Sequence, residues 1–163
     1  MNSRQPRLER VGVDGTSGRE VFAAGVGRPD DASEVVARDL PLSGCFVALI
    51  ACDAEACSEA ELVGLAHRLL EAGCVYFCCW GPGCERVHDV IDHVRSGNAS
   101  LSGDASVMTT WHGNEELEEV AEFAVRLAIP DDRFIDECRS VVALSIGNRA
   151  WQQRLKAALE GLI

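Results

Sequence analysis

Residues 74–86 read CVYFCCWGPGCER, and this stretch decides the fold. It begins with an apolar run that shows no alternation, passes through Gly81-Pro82-Gly83 and opens an amphipathic helix near Cys84. An unbroken apolar run is typical of a strand buried on both faces, as in a parallel sheet covered by helices. The turn that follows predicts the carboxyl end of that strand, which is the edge where α/β folds usually bind their ligands.

The same order, a strand and then a helix, occurs four times in the chain. Strands are predicted at 46–52, 75–80, 107–111 and 141–146. Strands and helices that alternate with short turns between them predict parallel strands. We therefore expect an α/β fold, a three-layer Rossmann-like sandwich around a mostly parallel sheet of four or five strands.

Several helix ends can be assigned from capping residues. Ser58 with Glu61 forms a capping box, and Gly73 ends the helix that it opens. Asn114 is predicted to cap the third helix, whose apolar face includes Leu127. The last helix is predicted at 149–162.

The N-terminal part of the chain has a different character. Residues 1–18 are polar and predict a flexible segment, while 20–27 predicts a short edge strand. We therefore divide the chain into a flexible or partly ordered N-terminal extension, 1–40, and a single Rossmann-like α/β domain, 41–163. Within that domain, 96–106 is predicted to be a loop of small residues.

The charge of the protein bears on its partners. The net charge is −11, with 26 acidic and 15 basic residues. Such a surface repels phosphate backbones, so we expect no nucleic-acid partner. The imbalance lies mostly in residues 45–163, which suits a basic protein partner as well as solubility. A small-molecule ligand and a basic protein are therefore the partners left open.

The sequence also predicts the compartment. No apolar run approaches the roughly 18 residues that span a bilayer, and no apolar segment follows the arginines at the N-terminus. We therefore expect a cytoplasmic protein without a membrane partner. In that compartment the eight cysteines are interpreted mainly as small buried hydrophobes kept reduced.

Candidate ligand-binding residues follow from the parallel arrangement, because the carboxyl ends of such strands share one edge. The backbone amides of the glycine turn can hold an anion, and the tryptophans can stack on a planar ligand. A tight turn and aromatic caps on the core explain the same residues without a ligand. The candidates are Asp53, Trp80, Gly81, Gly83, Arg86, Trp111 and Asn148.

Cys84 is the candidate nucleophile. A thiol in the first turn of a helix lies at the positive end of the helix dipole, which favours the thiolate. His112, oriented by Asp53, or His88, one turn along the same helix, is the candidate base. The alternative is that Cys84 is a packing residue. The Cys-x5-Arg spacing of a phosphatase loop is not present at Cys78 or Cys79.

Sulfur and nitrogen donors for a metal also occur in this region. They are Cys79, Cys84, His88 and His112. Structural zinc sites usually carry pairs of closely spaced ligands, and this sequence has no two Cys-x-x-Cys pairs. We therefore predict no metal site and no cofactor.

Two motifs carry a resemblance. With Cys-Trp-Gly-Pro-Gly-Cys-Glu-Arg-Val-His-Asp at 79–89 and Met-Thr-Thr-Trp-His at 108–112, the chain resembles a small bacterial family of unknown function. The likeness covers roughly 41–127. The resemblance implies a bacterial source and supplies no activity, substrate or catalytic residue.

Three functions are left open by these residues. The favoured one is a non-catalytic module that binds a small anionic or planar ligand at the strand ends. The second is an acidic protein-interaction or immunity-type protein. The third is a thiol-dependent enzyme that uses Cys84.

Overall fold

The structure, a computed structural model, describes residues 4–40, 44–97 and 107–163. Most of the predicted loop at 96–106 therefore lies outside the described residues. The strands are β1 Glu9–Val13, β2 Glu20–Val26, β3 Phe46–Cys52, β4 Cys74–Trp80, β5 Met108–Trp111 and β6 Ser140–Ile146. The helices are α1 Pro29–Asp39, α2 Glu59–Ala72, α3 Cys84–Gly97, α4 Leu117–Glu122 and α5 Arg149–Leu162. A 3-10 turn, Ala54–Ala56, follows β3, and a π-helical turn, Phe123–Leu127, follows α4.

One sheet joins all six of these strands in the order β1-β2-β6-β3-β4-β5. Every neighbouring pair is parallel except β1 and β2, which are antiparallel. The predicted α/β class is confirmed. The prediction of four or five strands is wrong for the described residues, because β1 lies in the segment that its polar sequence marked as flexible.

Strand β2 was predicted to be an edge strand, and this is also wrong. It pairs with β6 along all seven of its residues and with β1 on its other side. Helix α1, which follows β2, packs on α2 and contributes Val35 and Val36 to the same core. Residues 9–39 therefore belong to the same sheet and helix layer as the elements that follow residue 44.

Helices cover both faces of the sheet. Side chains of α1, α2 and α3 pack on one face, and those of α4 and α5 pack on the other. Strand β3 is buried at every position, and successive residues such as Leu49 and Ile50 pack into the cores on opposite faces of the sheet. A strand covered on both faces is why the sequence shows unbroken apolar runs instead of alternation. Among the described residues, no helix is both long and apolar enough to cross a bilayer.

Capping residues set the ends of α2 as predicted, and Asn148, predicted as a turn and ligand-binding residue, caps α5. The Ser58 hydroxyl accepts a hydrogen bond from the Glu61 amide at 3.1 Å, and Gly73 ends α2 in the left-handed conformation with φ of 108°. The Asn148 side chain accepts a hydrogen bond from the Trp151 amide at 3.0 Å and so begins α5. At the start of α2 and of α5, a polar side chain thus satisfies an amide that the first helical turn leaves without a partner.

Helix α4 differs from its prediction at both ends. It is capped by Glu116 and not by Asn114, because the Glu119 carboxylate accepts a hydrogen bond from the Glu116 amide at 2.8 Å. The π-helical turn that follows changes the rotation per residue. Leu127, predicted to face the core, is consequently 61% exposed, and Val125 is buried instead.

A buried ion pair joins the β1–β2 hairpin to the π-helical turn after α4, on the face of the sheet that α4 and α5 cover. Asp14 is fully buried, and its Oδ1 atom lies 3.0 Å from Nη2 of Arg126. The other carboxylate oxygen accepts a hydrogen bond from the Ser17 amide at 2.7 Å. Burial alone would raise the pKa of Asp14, but the hydrogen bonds from Arg126 and Ser17 outweigh it and leave the pKa below its usual 3.8. The carboxylate therefore stabilises the fold above that pH, and this stabilisation is lost as the pH falls through the lowered pKa.

We predict that Asp14→Ala lowers the free energy of unfolding by about 3 kcal/mol, because Arg126 and the Ser17 amide lose their shared partner. Urea unfolding at neutral pH measures the change. Asp136→Ala, at an exposed turn position, is the matched control and is expected to change stability by less than about 0.5 kcal/mol. Equal stabilities for the two variants would contradict the assigned role of the ion pair.

Candidate functional site

The glycine turn after β4 and the Trp-His pair after β5 lie side by side. The two strands are parallel neighbours, with Cys79 opposite Trp111, and the His112 amide donates to the Cys79 carbonyl at 2.9 Å. A Cβ atom built on Gly113 would lie 3.9 Å from Sγ of Cys84. Because α3 and α4 leave β4 and β5 toward opposite faces of the sheet, the tips of these strands occupy a position at which α/β folds bind ligands.

Backbone geometry accounts for the glycines of the turn. Gly81 has φ of 116°, and a Cβ atom there would lie 2.3 Å from the Cys52 carbonyl oxygen. Gly83 has φ of 71°. The Pro82 carbonyl accepts a hydrogen bond from the Ala54 amide at 2.9 Å. The turn therefore packs directly on the end of β3, which only glycine permits at position 81.

Asp53 and Arg86 hold the loop that follows β3. The Asp53 carboxylate accepts a hydrogen bond from the Glu55 amide at 3.0 Å. The Arg86 guanidinium donates from Nη1 to the carbonyls of Ala54 and Cys57, at 2.7 and 3.1 Å. Both predicted ligand-binding residues lie at the expected edge, and these contacts are structural.

His112 is buried and bound on both ring nitrogens. Nδ1 lies 2.6 Å from the Glu115 carboxylate, and Nε2 lies 2.9 Å from the Thr110 hydroxyl. Its ring packs on Phe123 at 4.8 Å between centroids. The predicted orientation by Asp53 is not observed, because Asp53 caps the 3-10 turn instead. Carboxylate, imidazole and hydroxyl follow one another as in a nucleophilic triad, yet Thr110 belongs to a strand and its hydroxyl also lies 3.5 Å from the Phe77 carbonyl.

His88 and Trp111 form the exposed part of this edge. The two rings are 4.5 Å apart between centroids, and Trp111 is 48% exposed. His88 Nδ1 lies 2.9 Å from the Thr109 hydroxyl, and its Nε2 lies 3.4 Å from the Asp92 carboxylate. The ring of His88 is thus occupied by β5 and by its own helix.

Cys84 begins α3 as predicted and is buried within the core beneath α2 and α3. In the described part of the chain, no hydrogen bond joins its thiol to His88 or His112. The contact between thiol and base on which the enzyme hypothesis depends is therefore not formed. Likewise, no three His, Cys, Asp or Glu side chains among the described residues are grouped to hold a metal ion.

Trp80 and Asn148 complete the predicted set. Trp80 donates from Nε1 to the Glu115 carbonyl at 2.8 Å and packs edge-on against Trp151 at 5.1 Å between centroids. Asn148 caps α5, as described above. Glu115 therefore binds Trp80 through its backbone and His112 through its side chain. This role of Glu115 was not predicted from the sequence, although its spacing of three residues from His112 was a usable signal.

A cavity lies at a different point of the same edge. Its volume is about 680 Å³, and it opens between the segment 4–9, strand β2 and helix α5. β1 pairs with β2 only as far as Ala23, so the chain before Glu9 leaves the sheet and the last three residues of β2 have no strand partner on that side. The lining side chains include Arg4, Arg7, Glu9, Ser145, Gln152 and Lys156.

Two contacts hold the outer wall of this cavity in place. The Leu8 amide donates to the Asp39 carboxylate at 3.0 Å, and the Arg38 guanidinium donates to the Pro6 carbonyl. Hydrogen bonds from Arg38 and from the Leu8 amide lower the pKa of Asp39 to about 2. The carboxylate that anchors segment 4–9 to α1 is therefore ionised at neutral pH. The cavity could not be predicted from the sequence, because its walls come from segments far apart in the chain.

We predict that Gly81→Ala lowers the free energy of unfolding by about 3 kcal/mol, since it combines a left-handed conformation with overlap on a backbone oxygen. Gly64→Ala is the matched control. A Cβ atom at Gly64 meets nothing closer than 3.9 Å, and alanine is a better helix former, so we expect a gain of about 0.5–1 kcal/mol. Denaturant unfolding of both variants measures the difference. A stable Gly81→Ala protein would contradict the packing of the turn on β3.

Comparisons with known proteins were made for sequence and for structure. A comparison with curated proteins finds no match. Among solved structures, the chain is similar to a UDP-N-acetylmuramoyl-L-alanyl-D-glutamate–2,6-diaminopimelate ligase, with 14% sequence identity and a TM-score of 0.49. That alignment covers 96% of this chain and 31% of the ligase chain.

The family comparison covers most of the sequence. Residues 28–161 match a family described as a domain of unknown function, DUF7684. The matched region is wider than the 41–127 over which the two motifs carried the resemblance, and it includes α1. The chain belongs to the DUF7684 family of domains of unknown function.

Proposed function

We propose that this protein is a non-catalytic module that binds a small anionic ligand in the cavity between segment 4–9, β2 and α5. One observation carries the proposal. The lining includes three cationic side chains, Arg4, Arg7 and Lys156, and one carboxylate, Glu9, in a protein whose net charge is −11. A local excess of positive charge in an acidic protein favours an anion at that place over the rest of the surface.

The position in the sheet supports the proposal. β2 and β6 are neighbours, and the helices that follow them, α1 and α5, cover opposite faces. Ligands of open α/β sheets bind where the chain leaves adjacent strands in this way. Gly25 and Ser145, which line the cavity, are the next-to-last residues of β2 and β6.

The chemistry of the lining gives the class of ligand. Arginine presents paired N–H donors that match carboxylate and phosphate oxygens. The Ser145 hydroxyl and the Gln152 amide add neutral donors, and neither side chain has a hydrogen-bond partner in the described ranges. The volume suits a metabolite-sized molecule. We therefore expect a small carboxylate or phosphate compound.

We propose a module without catalytic activity because the candidate catalytic side chains are engaged in contacts within the protein. Both ring nitrogens of His88 and His112 have side-chain partners, and the Cys84 thiol is buried in the core. These residues stabilise the β4–β5 tips. A cytoplasmic location belongs to the same proposal, supported by eight cysteines that are all free thiols.

Charge removal in the cavity is the direct test of the proposal. Pyrophosphate, citrate and a panel of phosphorylated metabolites are screened by thermal shift, and at least one is expected to raise the melting temperature. Arg7→Ala and Lys156→Ala are each expected to weaken the best hit about tenfold. Arg149→Ala, on the same helix outside the cavity, is the matched control and should bind normally. Equal affinity in Arg7→Glu, or no stabilisation by any anion, would overturn the proposal.

A second prediction concerns the floor of the cavity. A Cβ atom at Gly25 would lie 2.0 Å from the amide carbon of Gln152. Gly25→Ala therefore forces the Gln152 side chain to move and is expected to weaken the same anion about fivefold, the value of one hydrogen bond. Gly27→Ala, whose Cβ atom would meet nothing within 4 Å, is the control. Isothermal titration measures both affinities, and an unchanged Gly25→Ala affinity would remove Gln152 from the site.

A further inference from the structure

Two thiols meet where β3 ends. Cys52 is the last residue of β3, and Cys57 follows the 3-10 turn Ala54–Ala56. Their Sγ atoms are 3.6 Å apart, whereas the sulfurs of a disulfide are about 2.05 Å apart. The two side chains need to approach by only roughly 1.5 Å to form a covalent bond.

We propose that Cys52 and Cys57 are a modification site, at which exchange with a low-molecular-weight disulfide closes a reversible intramolecular disulfide. The proposal goes beyond ligand binding and uses a different part of the sheet edge, at the tips of β3 and β4. It depends on the contact between the two sulfurs and on the unequal exposure of the two thiols.

Exposure sets the order of the two steps. Cys57 is half-buried and is flanked by exposed residues, including Ser58. Cys52 is only 1% exposed and packs within the core. An incoming disulfide therefore reaches Cys57 first, and Cys52 is placed to react with the product. Cys74, Cys78 and Cys79 are buried within β4 and lack this access.

The small disulfide is the only oxidant that the reaction needs. The Cys57 thiolate attacks one sulfur of RSSR, forms a mixed disulfide and releases RS⁻. The Cys52 thiolate then attacks Sγ of Cys57, forms the protein disulfide and releases the second RS⁻. Two protons pass from the cysteines through solvent to the leaving thiolates. The small disulfide is reduced by two electrons to two RSH molecules, and the protein dithiol is oxidised.

The second step is sensitive to pH. In the reduced protein, burial and the neighbouring Cys57 thiol raise the pKa of the Cys52 thiol far above its usual value. Burial is the larger cause, and it persists when Cys57 carries the mixed disulfide. At neutral pH only a small fraction of Cys52 is thiolate, so ring closure is slower than for an ordinary thiol and accelerates as the pH rises. The mixed disulfide at Cys57 should therefore be observable early in the reaction at neutral pH.

The surrounding contacts link the thiols to the glycine turn. The Cys57 thiol donates to the Asp53 carbonyl at 3.4 Å, a bond that is lost when the disulfide forms. The Cys57 carbonyl accepts from Arg86, and the Ala54 amide donates to Pro82. A change in the 53–57 loop is thus transmitted to the turn after β4.

The test uses the reduced 163-residue chain and oxidised glutathione, and the reaction is followed over time by intact mass and peptide mapping. The wild-type protein is expected to lose two hydrogen atoms within the peptide that contains Cys52 and Cys57, and dithiothreitol should restore both thiols. Cys52→Ser should instead accumulate glutathione on Cys57. Cys57→Ser should lose free thiol about tenfold more slowly than the wild type, since the remaining thiols are buried.

Cys45→Ser is the matched control, because Cys45 is a buried cysteine in the same tryptic segment and should not affect the disulfide. Cys52→Ala is a second variant in case serine at the buried position disturbs folding, which circular dichroism reports. A disulfide mapped to another pair, or a wild-type protein that retains both thiols or stops at glutathione on Cys57, would overturn the proposal.

Discussion

The position of β6 between β2 and β3 is the constraint on which the rest of the structure depends. Each of its seven residues is paired on both sides, and all but Ser140 are buried. The chain arrives at this place from β5, at the far edge of the sheet, and crosses by way of α4 on the second face. Neighbouring strands thereby acquire helices on opposite faces at three places, β2 with β6, β6 with β3 and β4 with β5. The first of these places holds the cavity and the last holds the predicted site, both at the carboxyl edge.

The β4–β5 tips and the β2–β6 tips differ in how their polar side chains are paired. At the β4–β5 tips, polar side chains satisfy one another, with Glu115 as the shared partner of Trp80 and His112. Buried polar networks of this kind fix a single arrangement of the loops when every member is paired. At the β2–β6 tips, the side chains of Arg7, Gln152 and Ser145 line a cavity and form no hydrogen bond within the described ranges. The charge of Arg7 acts on Asp39, and Lys156 forms an exposed ion pair with Glu9 at 3.2 Å. Polar groups that the protein leaves without a hydrogen bond can orient a ligand in a pocket.

Structural features that are set by residues close together in the chain could be predicted from the sequence, whereas features set by contacts between distant segments could not. The buried strands and their parallel order followed from unbroken apolar runs such as 46–52, and the ends of α2 followed from Ser58 and Gly73. β1 was missed because its sequence, ERVGV, gains burial only by pairing with β2 and packing on α5. The π-helical turn was missed because it is fixed by distant groups, including Arg19, which donates to the Ala124 and Ala128 carbonyls.

The site residues divide in the same way. The sequence placed the Gly81 turn and His112 at one edge, because parallel strands bring their tips together. It did not reveal the internal partners of those residues, since neither the threonine of the 108–112 motif nor the spacing from His112 to Glu115 indicates which side chains the folded chain brings into contact. The cavity was beyond sequence reasoning altogether. Its walls join segment 4–9, predicted to be flexible, with Lys156 of the last helix, and only the strand order brings them together.

The most direct measurement of the central claim uses Lys156, the single lysine of the sequence. The protein is acetylated under limiting reagent with and without the anion that stabilises it best, and Nα-acetyl-lysine in the same tube serves as the internal standard. At ten times its dissociation constant, an anion in the cavity leaves about one site in eleven free, so acetylation of Lys156 should slow about tenfold. An anion that raises the melting temperature while Lys156 reacts at an unchanged rate would contradict the account.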